Sequence, residues 1–186
     1  MPLYQPLTPR LFMRQWRASD LPCFARMNAD RRVMRFFPAS LTRRQSDAMA
    51  ERCSMLIDSQ GWGFWAVEER SSGLFAGMVG LHRPSGDLPF APCVEVGWRL
   101  DPDHWGKGYA TEAAAAALDI AFNTLGLHEV VAFTAVLNTP SQAVMRRLGM
   151  RHAMDFEHPA VPADSPLRAH CLYRTDKEEH QRRHGL

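Results

Sequence analysis

Residues 93–111 read CVEVGWRLDPDHWGKGYAT, and the chain is organised around them. Val94, Val96, Trp98 and Leu100 alternate with Glu95, Gly97 and Arg99, the period of a strand with one apolar face. Asp101-Pro102-Asp103 ends that strand, because proline cannot donate to a ladder and Asp favours turns. Gly106-Lys107-Gly108 then leads into an alanine-rich helix beginning at about Tyr109. The first turn of a helix leaves backbone N–H groups unpaired and carries partial positive charge. Gly106 and Gly108 remove side chains from the approach to it. Strand, glycine loop and helix start together suggest a phosphate cradle.

Two familiar cradles are excluded by spacing. In a phosphate loop of the G-x-x-x-x-G-K-[ST] type the first Gly would stand where Asp101 is, and Lys107 would be followed by Ser or Thr rather than Gly108. A dinucleotide fingerprint needs a third Gly or Ala where Thr111 stands, and DPDHW separates strand from glycines too widely. A bare G-x-G pair is equally well a tight loop before a helix.

Residues 95–113, EVGWRLDPDHWGKGYATEA, resemble the acetyl-coenzyme A-binding core of the GNAT-type N-acetyltransferase superfamily, in particular its ribosomal-protein alanine (RimJ/RimL-like) branch. The superfamily pattern is Gln or Arg, two residues, Gly, one residue, and Gly or Ala. Here Trp105, Gly108 and Ala110 fill it, the Trp being a departure usual in this branch. Downstream, Asn138-Thr139-Pro140-Ser141 and Arg147-Leu148-Gly149-Met150 resemble the branch's second signature in order and spacing. The likeness runs over roughly residues 8–175.

The resemblance implies an acyl transfer, most simply of acetyl, from coenzyme A to an amine. The amine would belong to a protein N-terminus or a small molecule and attack directly in a ternary complex. Gly106, Lys107, Gly108, Tyr109, Ala110 and Thr111 would hold the pyrophosphate, with Lys107 either adding charge or simply solvated. Trp98, Arg99 and Leu100 would offer strand-like backbone contacts to the pantetheine arm. The Asn138 amide would contact the coenzyme, and Asn is also among the best helix N-caps. The Ser141 hydroxyl would lie near the thioester sulfur and protonate the departing thiolate; the other reading is a first-turn serine bonded to its own helix. Glu95 would take the amine proton, or else be solvated or paired with Arg99. Glu68, Glu69, His82 and His170 are weaker candidates for that base. A catalytically silent acyl-CoA-binding sensor or scaffold is the alternative function, and a homodimer fits the family.

Composition sets the remaining bounds. The 186 residues suit one domain with a substantial core, with a polar tail from about residue 176. A net charge of +2 does not point to nucleic acid, and the pairs Arg31-Arg32 and Arg43-Arg44 read as solvated helix faces. Cys23, Cys53, Cys93 and Cys171 form no C-x-x-C pair, so no zinc site or other metal is expected and reduced thiols in a cytoplasmic protein are the simple reading. MPLYQPLTPR lacks the shape of a signal peptide, and no apolar run approaches the length of a membrane span.

Elsewhere, Thr8–Trp16 reads as a strand, followed by a short helix capped at Ser19-Asp20 and a helical turn over Arg31–Phe36. Thr42 caps a helix over Arg43–Ser59, with Met49, Cys53 and Leu56 on one face. Phe64–Glu69 and Leu74–Leu81 read as a hairpin, and Ser85–Pro92 as a loop. Thr111–Leu125 is a helix with Ala110, Ala114, Leu118, Ala121 and Leu125 as its apolar stripe, ended by Gly126. Val130–Leu137 reads as a strand buried on both faces and parallel to the first, giving a βαβ unit. A helix over Ser141–Leu148 and an antiparallel pair, Arg151–Glu157 with Leu167–Thr175, complete the chain. The tail is expected to fray, and His180 and His184 to lack a carboxylate partner. The fold class is therefore α/β, a GNAT-like mixed and mostly antiparallel central sheet with a parallel βαβ core and flanking helices.

Overall fold

The computed structural model describes residues 2–84 and 86–184, so Ser85 of the expected loop lies outside it. Seven strands form one sheet: β1 (Leu11–Arg14), β2 (Phe64–Glu69), β3 (Phe75–His82), β4 (Glu95–Leu100), β5 (Glu129–Ala135), β6 (Arg151–Glu157) and β7 (Ala169–Asp176). Their order is β1-β2-β3-β4-β5-β7-β6. All neighbours are antiparallel except β4 and β5. The helices are α1 (Leu21–Ala29), α2 (Arg43–Gln60), α3 (Tyr109–Asp119), α4 (Thr139–Arg147) and α5 (Lys177–His184). The expected α/β class, hairpin and βαβ unit are all present.

Local signals fixed several boundaries. Thr42 Oγ1 accepts from the Gln45 N–H and Gln45 Oε1 from the Thr42 N–H, a reciprocal cap at the start of α2. The first strand is shorter than expected because Thr8 folds back on Leu11: its N–H donates to the Leu11 carbonyl, and the Leu11 N–H donates to its Oγ1. Asp20 is no conventional cap. Its carboxylate accepts from the Arg17 N–H and from both Nη atoms of Arg14, at 2.8 and 2.9 Å. Arg14 also meets Glu68 at 2.8 Å, with the Arg14 and Asp20 side chains each only 3% exposed. A charge cluster this deep is destabilised strongly by loss of one member.

The buried face of α2 is Ser46, Ala50, Cys53 and Ile57, while Leu56 is 45% exposed, so the expected stripe was displaced by one residue. The stripe of α3 is wider than expected. Tyr109, Ala113, Ala114, Ala117 and Leu118 are buried, and Ala121 and Phe122 follow in a π-helical turn over Ile120–Thr124. Small side chains let α3 lie close on the sheet. Strand β5 stops at Ala135, and Val136 and Leu137 are 38% and 55% exposed, because the chain there turns out of the sheet to enter α4.

The expected frayed tail is instead α5 through His184. His180 is 1% exposed, its Nε2 lies 2.7 Å from Asp119 Oδ1, and its ring stands 5.3 Å from that of Phe122. The expectation failed because Asp119 is 61 positions away in sequence; the side chain of His184 lies outside the described set. His180→Ala should lower stability by about 1–3 kcal/mol, from a lost buried contact and the space it leaves. Urea unfolding measures this, and a change below about 0.5 kcal/mol would mean the tail helix is not part of the cooperative fold.

Candidate active site

The parallel ladder is short. β4 and β5 pair at Glu95↔Val131, with the Val131 N–H on the Val94 carbonyl, and among the described residues the ladder goes no further. Beyond that point a cavity of about 1410 Å³ opens, lined by β4, the glycine loop, the end of β5 and the start of α4. That volume exceeds the few hundred to about 1,000 Å³ of a single small-molecule site. Backbone groups alternate sides along a strand. Since the Val94 carbonyl points to β5, those of Val96, Trp98 and Leu100 do too, and those of Arg99 turn to β3, where it pairs with Met78. The Leu100 carbonyl is already taken by the Trp105 indole N–H at 2.9 Å. Of the three residues expected to offer backbone contacts, Trp98 therefore presents the freest edge to the cleft.

Gly106 and Gly108 adopt φ +73° and +80°, values that favour glycine. A Cβ on Gly106 would meet nothing within 4 Å, and one on Gly108 only Arg10 Nη2 at 3.5 Å, so the loop surface is open to a bulky anion. Gly108 is the N-cap of α3 and supplies no side-chain cap, which leaves the N–H groups of Tyr109, Ala110 and Thr111 available at the positive helix end. The loop is braced from behind. Arg10 donates to the Lys107 carbonyl at 2.8 Å and pairs with Glu112 at 2.6 Å, and Glu112 also accepts from the Thr8 hydroxyl at 2.7 Å. The Tyr109 hydroxyl donates to Glu69, and hydrogen bonds from Ser72 and Tyr109 hold that carboxyl below its ordinary range. Lys107 is 45% exposed and stands 3.8 Å from Glu69.

Across the cleft, Asn138 caps α4: its Oδ1 accepts from the Ser141 N–H at 3.3 Å. Its Nδ2 donates to Thr134 Oγ1 at 2.9 Å and to Ser141 Oγ at 3.1 Å. The Ser141 hydroxyl is thus an acceptor from Asn138, with its own hydrogen left to donate elsewhere. On the β4 wall, Glu95 does not pair with Arg99. Its Oε2 meets His82 Nε2 at 2.6 Å, directly across the β3–β4 ladder, with the Glu95 side chain 13% exposed. Burial pushes the Glu95 carboxyl above its ordinary range, against the opposing pull of His82. The Phe64 ring packs on His82 at 4.9 Å.

A model of the Acetyltransferase (GNAT) domain matches residues 10–151. The chain belongs to the GNAT acetyltransferase family. It is 29% identical over 144 residues to an uncharacterised N-acetyltransferase, YnaD, of Bacillus subtilis, covering 77% of this chain and 81% of the relative. Its fold matches a GNAT-family acetyltransferase of Bacillus anthracis with a TM-score of 0.79 at 24% identity, over 94% of this chain and 99% of the other. It also matches a ribosomal-protein-S5-alanine acetyltransferase of Vibrio fischeri with a TM-score of 0.74 at 18% identity, over 94% and 97%. As a GNAT acetyltransferase the protein is an acetyl-CoA-dependent acyltransferase.

The cavity of this GNAT acetyltransferase brings together Glu95, Trp98, Arg99, Leu100, the loop 106–111, Asn138 and Ser141. Of the other carboxylates considered, Glu68 is engaged by Arg14 and Arg17, and Glu69 braces the loop. His82 lines the cavity beside Glu95, while His170 stands 4.7 Å from the His158 ring across the cleft. Thr8, Arg10, Glu112 and Thr134 were not foreseen, because each acts through a partner distant in sequence or through a side-chain contact no pattern encodes. The His82–Glu95 pair had a readable signal, two polar residues at facing ends of adjacent strands.

Acetyl-CoA at a hundred times its dissociation constant should add about 2.7 kcal/mol, raising the melting midpoint by roughly 5–10 °C. Gly108→Glu should abolish that shift in a protein that remains folded, since a carboxylate would stand in the cradle and the strained backbone would resist it. Differential scanning fluorimetry with and without ligand reads both, and a full shift in the variant would put the phosphates elsewhere.

Proposed function

We propose that the cleft carries an acetyl group from acetyl-CoA to a primary amine by direct attack in a ternary complex. The acceptor amine is that of a protein N-terminus, as in the RimJ/RimL-like branch, or of a small molecule. The observation that carries this reading is the presence of two polar devices in one cavity, Glu95–His82 across β4 and β3 and Asn138–Ser141 at the start of α4. A module that only bound acyl-CoA would have no use for the Glu95–His82 pair.

The coenzyme's phosphates sit on Gly106–Thr111, with Lys107 at the rim. Its pantetheine arm lies along β4 against the open edge at Trp98, and the Asn138 amide faces it from the other side. Glu95 accepts the amine proton on the oxygen that His82 leaves free, directly or through water. As nitrogen bonds to the carbonyl carbon and the carbon–sulfur bond breaks, the Ser141 hydroxyl hydrogen-bonds the departing thiolate, whose charge is balanced by the proton taken up on Glu95. The four cysteines are free thiols, which suits a reducing, cytoplasmic setting. Docking of α5 on α3 supports one domain over residues 1–186.

A base must be ionised to work, so a carboxyl held above its ordinary range moves its acidic limb to higher pH. The acceptor adds a second limb, at about pH 7.7–8.0 for an α-amine. With an α-amine peptide, log kcat/KM should rise with a slope of about 2 below both limbs, and of about 1 in Glu95→Gln, whose rate should be lower by about 10²–10⁴-fold. An unchanged slope and rate would remove Glu95 as the base.

Ser141→Ala should reduce kcat by about 10–100-fold, a modest effect because a thiol of pKa about 8.5 leaves readily. The KM for acetyl-CoA should barely move, since the contact forms mainly in the transition state. The defect should shrink above about pH 9. Wild-type kcat in the variant would return Ser141 to a structural role.

A further inference from the structure

The side chain of Arg99 has no part in the transfer step. It lies on the same face of β4 as Glu95 and Gly97, four and two positions before it, and lines the cavity. The guanidinium is aimed from one side by a buried relay. Nη1 donates to Asn28 Oδ1 at 2.7 Å, and Asn28 Nδ2 donates to Ser46 Oγ at 2.9 Å, with both relay residues fully buried. The Phe37 ring lies on the guanidinium face, its centroid 4.3 Å from Cζ. Nε is closed from water and has no partner, and no carboxylate among the described residues pairs with this arginine. Burial pushes the group down to about 10, so it keeps its charge at neutral pH. A buried cation without counter-charge is costly for the fold, and loss of that cost on ligand binding is a source of selectivity.

We infer that the acceptor carries a carboxylate, which docks on the cavity-facing side of the Arg99 guanidinium, away from Nη1 and Asn28, while the acceptor's amine is presented at Glu95. This rests on the amine-acetylation reading above. A carboxylate there accepts charge-assisted N–H bonds from a guanidinium already held in place. The charge around the cavity agrees. Among its described lining residues Glu95 is the one carboxylate, against Arg35, Arg99 and Arg147, with Arg32 paired to Asp30 and Lys107 standing 3.8 Å from Glu69. A polyamine would find a single counter-charge there, already shared with His82. Gly97 keeps the floor between the two anchors clear, since a Cβ there would stand 3.1 Å from the Phe64 ring. At about 3.3 Å per residue the Cα atoms of Glu95 and Arg99 are about 13 Å apart, part of which the two side chains span. That leaves room for an amine and a carboxylate separated by one to about three residues' length.

The test measures release of free coenzyme A thiol from acetyl-CoA with matched peptide pairs: Ala-Glu-amide against Ala-Gln-amide, and Ala-Ala-Glu-amide against Ala-Ala-Gln-amide. The α-amines match within each pair, so the ratio of kcat/KM isolates the carboxylate. In the wild-type protein at least one acidic peptide should exceed its neutral partner by about tenfold or more, as expected where a buried donor is left unpaired by the wrong substrate. In Arg99→Gln that ratio should fall to near one, whatever the variant's absolute rate, and in Arg99→Lys it should be intermediate. Should Arg99→Gln fail to fold, inhibition of the wild type by the acetylated products reads the same contact, the acidic product binding about tenfold tighter. Equal wild-type rates, preference for the neutral peptides, or a preference that survives Arg99→Gln overturns the inference while leaving transfer to amines intact. Release of no thiol with any amine overturns both.

Discussion

Everything at the candidate site depends on where one parallel ladder stops. β4 and β5 share the pairing at Glu95↔Val131, and past it the two strands face a cavity rather than each other. A sheet interior with unpaired backbone groups is unfavourable unless something else satisfies them. Here part of the debt is settled within the chain, since the Trp105 indole takes the Leu100 carbonyl. The rest, at Trp98, is presented to whatever lies in the cleft. The same opening sets the α3 start and the α4 start on the two sides of one cavity. The strand edge, the glycine loop and the Asn138–Ser141 cap are consequences of a single interruption.

Charge burial is handled in two contrasting ways. The Arg14–Asp20–Glu68 cluster closes on itself, each partner satisfied by another, and it ties the first strand, the turn before α1 and β2 together. At the cleft the groups are left incomplete. Glu95 has one partner on one oxygen, and Arg99 is held through Nη1 with Nε unmatched. The closed cluster serves the fold alone, whereas incomplete groups are available to a ligand, a difference that follows from which side of each group the neighbouring elements cover.

What could be read in the sequence is what is encoded over a few consecutive residues. The alternation at residues 94–100, the Gly106–Gly108 loop, the Thr42 cap and the Asn138 cap each have a physical cause within one turn or one strand, and each appeared where expected. What escaped reading is what long-range contact decides. The strand over residues 8–16 shortened because Thr8 closes a turn on Leu11, and Leu56 gave way to Ile57 because the sheet, not the helix, selects the face that is buried. Arg10 with Glu112, Arg99 with Asn28 and His180 with Asp119 lie 102, 71 and 61 positions apart. No periodicity connects such pairs.

The strand order β5-β7-β6 has a consequence for synthesis of the chain. β6 is made before β7 but lies outside it, so it has no place in the sheet until the last strand has emerged and paired with β5. Until β7 is in place, β6 has no sheet to join, and an unpaired strand is the kind of species that associates with other chains. Its residues suit that interval: Arg151, His152, Asp155 and Glu157 are exposed, and Phe156 is its one buried side chain. Charged, exposed side chains on an outer strand disfavour pairing with another chain, both on the finished sheet and before it closes.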